Sequence, residues 1–529
     1  MNYTVGYGYD AANRKTSTTY PDGSVSTRTY TDRNQLKTAK LATTLLATWT
    51  YDPGLRLTNT TLGNGLAETR TYRADNLVTS IATPGINQLT YVYDANKRVT
   101  NEANPLLPPE ALSYGYDVED RLTTFQRGPT ATPAQSQSWN LSLVGDWAST
   151  TRDGVLETRT HTAVHEITSL AKTGSPTMAL NHDAKGNLGL TQNGQALTWD
   201  IENRLASANP APGLAGGQYK YDVLGRRLKK AVGSVSTVFV HDGDQVIAEY
   251  ENGVLARRYV YGAYIDEPLA MVSSTGPRYY HQNQIYHVMA MTNSSGQLAE
   301  RYGYTAYGKR RVVSPGGAKL AASAIGNQVG FTGRYHDGET GLTYFRARYM
   351  DAELGRFVGR DPAGHVDGPS RYASYFVPRF TDPSGSQTET GEYGGASLSA
   401  LKKSLAGAEK SARSLPVEIF GLEPARYHYN FFYTCAEGYE SANISGGTWT
   451  GIHQFGGEIA GFGVKTWVWA VPLNSSRFEG CKLANGCPGV KFIVDLLVEV
   501  YVSVIPIAVT LTRKLGEDHL SLQCPCRKP

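Results

Sequence analysis

Chemistry in this chain gathers on aspartates between residues 331 and 385. Asp361 and Asp382 each stand directly before a proline, Pro362 and Pro383, and Asp367 lies between them in Val366-Asp367-Gly368. Proline fixes φ and removes a donor, so the chain must turn at each of these steps. The aspartate carboxyl then sits close to the peptide bond that follows. Two carboxylates held near each other share a proton, so one can serve as base and the other as acid. Arg356 and Arg360 stand near enough along the chain to hold one of them ionised. The C-terminal region offers less. His428, His453, Glu458 and His519 make no Ser/His/Asp spacing, phosphate loop or His-Glu-x-x-His. A lone histidine in a β-rich segment is usually structural. No catalytic residue, metal or cofactor is assigned there.

The elements that must position the aspartates are short. Arg334-Tyr335, Tyr344-Phe345, Arg348-Tyr349 and Arg356-Phe357 alternate with the turn signals Asp337-Gly338, Glu339-Thr340-Gly341 and Leu354-Gly355. Short strands carrying Arg and aromatic side chains, joined by tight turns, follow from that pattern. Ahead of this block the chain repeats itself. Tyr9, Tyr30, Tyr51, Tyr72 and Tyr93 fall 21 residues apart, each opening an imperfect copy of a Tyr-Asp-x-x-(Asn/Gly)-Arg-Leu unit. Later copies drift in spacing: Tyr116-Asp117, His182-Asp183, Trp199-Asp200 and Tyr221-Asp222, with weaker units near His161 and His241. In each unit a strand ends at Tyr-Asp, Asn or Gly makes the turn, and Arg-Leu opens the return strand. One such hairpin cannot bury its face, whereas stacked hairpins can. The recurring aspartates are therefore read as structural.

Composition agrees. Tyr at 34 against Phe at 14, with 56 Gly and 25 Pro, suits many short strands and turns. A net charge of +4 over 529 residues, with no basic run, points to neither nucleic acid nor a membrane surface. The start, MNYTVGYGYD, has no signal-peptide pattern, and no long uncharged apolar run reads as a membrane span.

Gly341-Leu342-x-Tyr344-x-Arg346-Ala347-Arg348-Tyr349, then Gly355-Arg356-Phe357, Asp361-Pro362 and Asp382-Pro383-x-Gly385, resembles the repeat-associated core of RHS/YD-repeat proteins of the polymorphic-toxin type. The resemblance implies a mainly β fold: a long coiled antiparallel sheet over residues 1–330 forming a partial shell, a core or plug at 331–385, and a variable domain of toxin type at 386–529. It implies self-cleavage just beyond the last Asp-Pro-x-Gly, with Asp361 and Asp382 as the acting pair and Asp367 as a third candidate. It also implies secretion or cell-surface display, an immunity protein, and a secretion apparatus or remaining shell as partners. This chain departs from the family at Ser386, where a Leu is usual, and at Phe376-Val377-Pro378, where Asn-Asn-Pro is usual. His281-Gln282-Asn283-Gln284 replaces an Asp-x-x-Gly-Ser turn, so that hairpin is expected to be irregular. His281 and His287 are expected to be packed or surface residues rather than ligands. The array looks short for closing a shell, so an open curved sheet from a longer protein is expected.

After a polar linker from Ser386, an apolar stripe from Leu398 to Leu415 with Ser397 as cap predicts a helix that Pro416 stops. Strands follow at 427–433, 448–452, 464–471 and 492–511, giving a small α+β domain. All five cysteines lie in the last fifth. Cys481, Cys487, Cys524 and Cys526 do not have a usual zinc spacing; disulfides joining the 481/487 loop to the C-terminus are expected, leaving one cysteine over. The alternative function is a non-enzymatic secreted or surface repeat protein that mediates adhesion or wall contact.

Overall fold

The computed structural model describes residues 3–388 and, beyond them, only the backbone of strands between His428 and Leu522. The chain divides into two compact units, residues 1–391 and 392–529.

The first unit is antiparallel β throughout, with two single 3₁₀ turns. Each strand pairs with the next in sequence. A 17-stranded sheet runs from Gly6–Tyr9 to Met178–Ala179, and a 13-stranded sheet from Leu197–Trp199 to Lys319–Leu320. Strand after strand ends on the repeat aromatic: Val25–Tyr30, Ala67–Tyr72, Asn87–Tyr93, Leu112–Tyr116 and Gly217–Tyr221. In the 17-stranded sheet one face is buried and the other wet, as alternation requires, whereas Val288–Thr292 of the 13-stranded sheet is buried on both. In Asn87–Tyr93, for example, Leu89 and Tyr91 are buried while Gln88 and Val92 are exposed.

The first repeat shows why the unit recurs. Asp10 Oδ1 accepts the N–H groups of Ala12 and Arg14 at 3.0 and 2.9 Å, and its Oδ2 pairs with Arg14 Nε at 2.7 Å. Asn13 takes the left-handed conformation, φ 60°, that the turn demands. The Arg14 guanidinium lies 4.9 Å from the ring centre of Tyr30 in the next unit, and Tyr30 OH donates back to Lys15 O at 2.7 Å. The same clasp links Asp52-Arg56 to Tyr72, Asp94-Arg98 to Tyr116 and Asp200-Arg204 to Tyr221. Each tyrosine thus ties one hairpin to its predecessor, through a hydroxyl bond worth about 1 kcal/mol and a cation–π contact of ~0.5–1 kcal/mol. Tyr304→Phe, which removes a buried donor to Val288 O (2.8 Å), is expected to lower urea stability by about 1 kcal/mol.

The hairpin at 281–284 carries the expected irregularity as a register shift between His281 and Gln282, while its turn is capped as in the repeats. Asn283 Oδ1 accepts from Ile285 and His287 at 3.1 and 2.9 Å, as the repeat aspartates do, and Tyr286 takes φ 63°. An amide here can also donate: Asn283 Nδ2 bonds buried Glu102 at 3.1 Å, where a carboxylate would repel it. His281 and His287 are buried, and burial lowers both pKa values to about 3. His287 Nδ1 accepts the Thr332 N–H at 2.9 Å, so both histidines are packed as expected.

The block that follows is a four-stranded sheet of Tyr335–Asp337, Leu342–Phe345, Arg348–Asp351 and Arg356–Phe357. Every residue of the last three strands is buried. The 17-stranded sheet holds it through Arg159 to Leu354 O and through Asp146 to Arg356, both at 2.7 Å. The 13-stranded sheet holds it through Arg227 and Lys230 to Asp337 at 2.5 and 2.9 Å. One apolar core runs through all three, from Phe125 and Trp147 to Tyr259 and Met291 to Phe345 and Phe357.

In the second unit, His428–Cys435 pairs with Ala442–Thr450, and Pro488–Val504 pairs with Ile507–Leu522 on either side of Pro506. The helix expected over 397–415 lies outside the described residues, as do the side chains of Cys481, Cys487, Cys524 and Cys526. Among the described residues, no helix is long and apolar enough to cross a membrane.

Candidate active site

The three aspartates named from sequence converge on the end of the first unit, and Arg348 joins two of them. Arg348 lies on the third strand of the block, its guanidinium carbon 3.6 Å from the ring centre of Phe357. Its Nη1 meets Asp361 Oδ2 at 3.0 Å and its Nη2 meets Asp382 Oδ2 at 3.3 Å. Its Nε donates to the carbonyl oxygen of Gly385. The two carboxylates therefore meet through one cation rather than over a shared proton.

The residues expected to hold a carboxylate ionised do other work. Arg356 pairs with Asp146 at 2.7 Å and Arg360 with Glu166 at 2.5 Å. Nearness along the chain does not become an ion pair here. Arg348, thirteen positions before Asp361, takes the place assigned to them.

Asp382 is almost wholly buried, at 1% exposure, and is surrounded by donors. Its Oδ1 accepts the N–H groups of Gly385, Ser386 and Gln387 at 2.8, 3.2 and 3.2 Å and the Ser384 hydroxyl at 3.2 Å. Asp367 Oδ2 accepts both the N–H and the hydroxyl of Thr388 at 2.9 Å. Asp361, 4% exposed, accepts the Ala363 N–H at 2.8 Å besides its bond to Arg348. Burial lifts the Asp361 pKa to about 6 against the pull of Arg348, and the charges of Asp367 and Asp382 add to the rise. Burial also raises Asp382, opposed by Arg348 and Arg334. The same burial lowers Arg348.

The segment 382–385 is gripped carbonyl by carbonyl. Arg334 Nη2 donates to Asp382 O at 2.7 Å, Arg346 Nη1 to Pro383 O, the Ala347 N–H to Ser384 O at 3.2 Å, and Arg348 Nε to Gly385 O. Gly385 has φ 73°, and a Cβ there would lie 1.8 Å from Phe345 O, so only glycine fits. This arginine clamp was not assigned from sequence. Its one advance sign is the recurrence of Arg334, Arg346 and Arg348 beside aromatic residues. Chemically, the site offers a buried acid with pKa near neutrality, a second carboxylate on the backbone beyond Gly385, and a cation on the Gly385 carbonyl.

Stacked Tyr-Asp hairpins closed on a buried arginine-rich block define a YD-repeat shell. The Teneurin YD-shell family model matches residues 86–368, more than half of the chain, and the chain belongs to that family. It is an RHS/YD-repeat protein. It is 31% identical over 198 residues to the tRNA3(Ser)-specific nuclease WapA of Bacillus spizizenii, covering 36% of this chain and 8% of that protein. It is 26% identical over 232 residues to the double-stranded DNA deaminase toxin A of Burkholderia cenocepacia, covering 37% and 16%. The fold matches the Photorhabdus luminescens Tc holotoxin pore with a TM-score of 0.54 at 18% identity, over 74% of this chain and 21% of that one. The chain thus spans under a fifth of the length of these two relatives.

Proposed function

We propose that this chain is a polymorphic-toxin-type protein. Residues 1–330 form the repeat shell, 331–385 the block that closes it, and 386–529 an effector whose chemistry is unassigned. The effector is cut free by self-cleavage next to Gly385. The observation that carries this reading is Arg348, which binds Asp361, Asp382 and the Gly385 carbonyl at once. Neither carboxylate needs so elaborate a setting to make a turn. The relatives named as a tRNA nuclease and a DNA deaminase toxin support an effector tail; a secreted or surface location and a matching immunity protein are part of the proposal.

Asp361 is the acid, since burial keeps it protonated to about pH 6. Asp382 is the base, since four donors on its Oδ1 and Arg348 on its Oδ2 favour the charged form. Cleavage of the purified chain, read on a gel, is expected to slow as pH rises through about 6, because the acid form of Asp361 is lost. Asp361→Asn is expected to slow it by about 10²–10⁴-fold. Fragments that form equally in Asp361→Asn remove the assigned role. Expression of residues 386–529 alone in a bacterial host is expected to arrest growth, and a harmless soluble product counts against the effector.

A further inference from the structure

Ser386 stands where the family usually has Leu, and its surroundings suit a nucleophile. Its hydroxyl donates to Ser384 Oγ at 2.9 Å, and Ser384 Oγ donates to Asp382 Oδ1 at 3.2 Å. That is a proton path from a hydroxyl to a buried carboxylate. The Gly385 carbonyl, one peptide bond upstream, already carries the Arg348 Nε–H on its oxygen. The nitrogen of that bond, Ser386 N, is hydrogen-bonded to Asp382 Oδ1 at 3.2 Å and to Ser384 Oγ at 3.1 Å. Nucleophile, base path, oxyanion donor and leaving nitrogen meet on the one bond Gly385–Ser386. The clamp on 382–385 holds the acyl side still, so the attack costs little further ordering.

Building on the self-cleavage reading, we infer that Ser386 is the catalytic nucleophile, and that the first step is an N-to-O acyl shift at Gly385–Ser386. The Ser386 proton passes through Ser384 to Asp382 as Oγ attacks the Gly385 carbonyl carbon. The oxyanion forms against Arg348. Collapse breaks the Gly385 C–Ser386 N bond, and the nitrogen takes a proton back from Asp382. The product is an ester between Gly385 and Ser386 Oγ, with a free amine on Ser386. Water then hydrolyses the ester, leaving a Gly385 carboxylate and an intact Ser386. Asp382 thus acts in both halves, and Asp361 joins it only in the second, the hydrolysis of the ester.

The test is mass analysis of the full purified chain with and without hydroxylamine, which opens esters but not ordinary peptides. Wild type is expected to yield a fragment ending in a Gly385 hydroxamate when hydroxylamine is present. Asp361→Asn is expected to stay whole alone and to be cut by hydroxylamine, because it can form the ester but hydrolyses it slowly. Ser386→Ala is expected to be cut at least ~100-fold more slowly under both conditions, and Ser386→Cys to be cut through a thioester. Wild type that is cut in hydroxylamine yet ends only in a carboxylate overturns the inference. So does Ser386→Ala cut at the wild-type rate, and either result leaves the self-cleavage reading standing. A wild-type chain that is never cut removes both.

Discussion

Asp337→Ala is expected to destabilise the first unit by about 3–5 kcal/mol, the cost of stripping the partner from a buried charge. Asp337 is wholly buried and receives Arg227 at 2.5 Å and Lys230 at 2.9 Å. Burial works to raise its pKa, but the two cations outweigh burial and hold it below the usual carboxylate range. In the variant, Lys230 keeps Glu339 at 3.3 Å. Arg227 keeps a long hydrogen bond to the Tyr349 hydroxyl at 3.3 Å and aromatic faces, with Tyr344 at 4.4 Å and Phe239 at 5.0 Å. Those contacts, about 2 kcal/mol each at best, do not replace an anion for a guanidinium that is 2% exposed. Because the folded pKa is depressed, this contribution is present above the unfolded value and is lost as pH falls through the folded one. Urea midpoints at neutral pH measure it. A loss under about 1 kcal/mol would mean that the block is not pinned to the 13-stranded sheet by this pair.

Asp361 carries the opposite sign. Its pKa rises from 3.8 to about 6, mainly through burial, so the folded chain binds this proton more tightly than the unfolded chain does. The stability it contributes is complete below pH 3.8 and is lost as pH rises through about 6. The difference amounts to about 3 kcal/mol at 1.36 kcal/mol per pKa unit. An Asn at this position cannot ionise. In a Ser386→Ala background, which keeps the chain whole, Asp361→Asn is therefore expected to gain stability relative to Asp361 from pH 4 upward. The gain should level off at about 3 kcal/mol above pH 7. A difference that does not change with pH would show that Arg348, not burial, governs this carboxyl.

The repeat is legible in the sequence because its physics is local. Asp10, Asn13 and Arg14 lie within five residues and close their own turn, so a fixed tyrosine spacing reports the hairpins directly. Exceptions to the Asn/Gly rule are tolerated. Leu55 and Lys97 sit at φ 69° and 61°, because the aspartate cap holds the turn whichever residue occupies that position. Asn283 keeps the cap for the same reason: its oxygen accepts as an aspartate oxygen does. The aspartates were singled out by the core motif around them and not by the Asp-Pro step itself, since Asp52-Pro53 is a repeat turn and Asp367 precedes glycine. Their cation was not singled out. Arg356 and Arg360 lie closer to Asp361 in sequence, and choosing Arg348 requires knowing how four short strands stack. The clamp of Arg334, Arg346 and Arg348 on successive carbonyls is likewise a product of tertiary packing, which no local pattern encodes.

The intact mass of the purified full chain, held at about pH 5 and followed over time, tests the central claim most directly. The expected result is two species whose boundary lies between Gly385 and Ser386, forming far more slowly in Asp361→Asn. A single species of full mass that persists under those conditions would contradict it, and would leave Arg348 and its aspartates as the internal brace of a closed block.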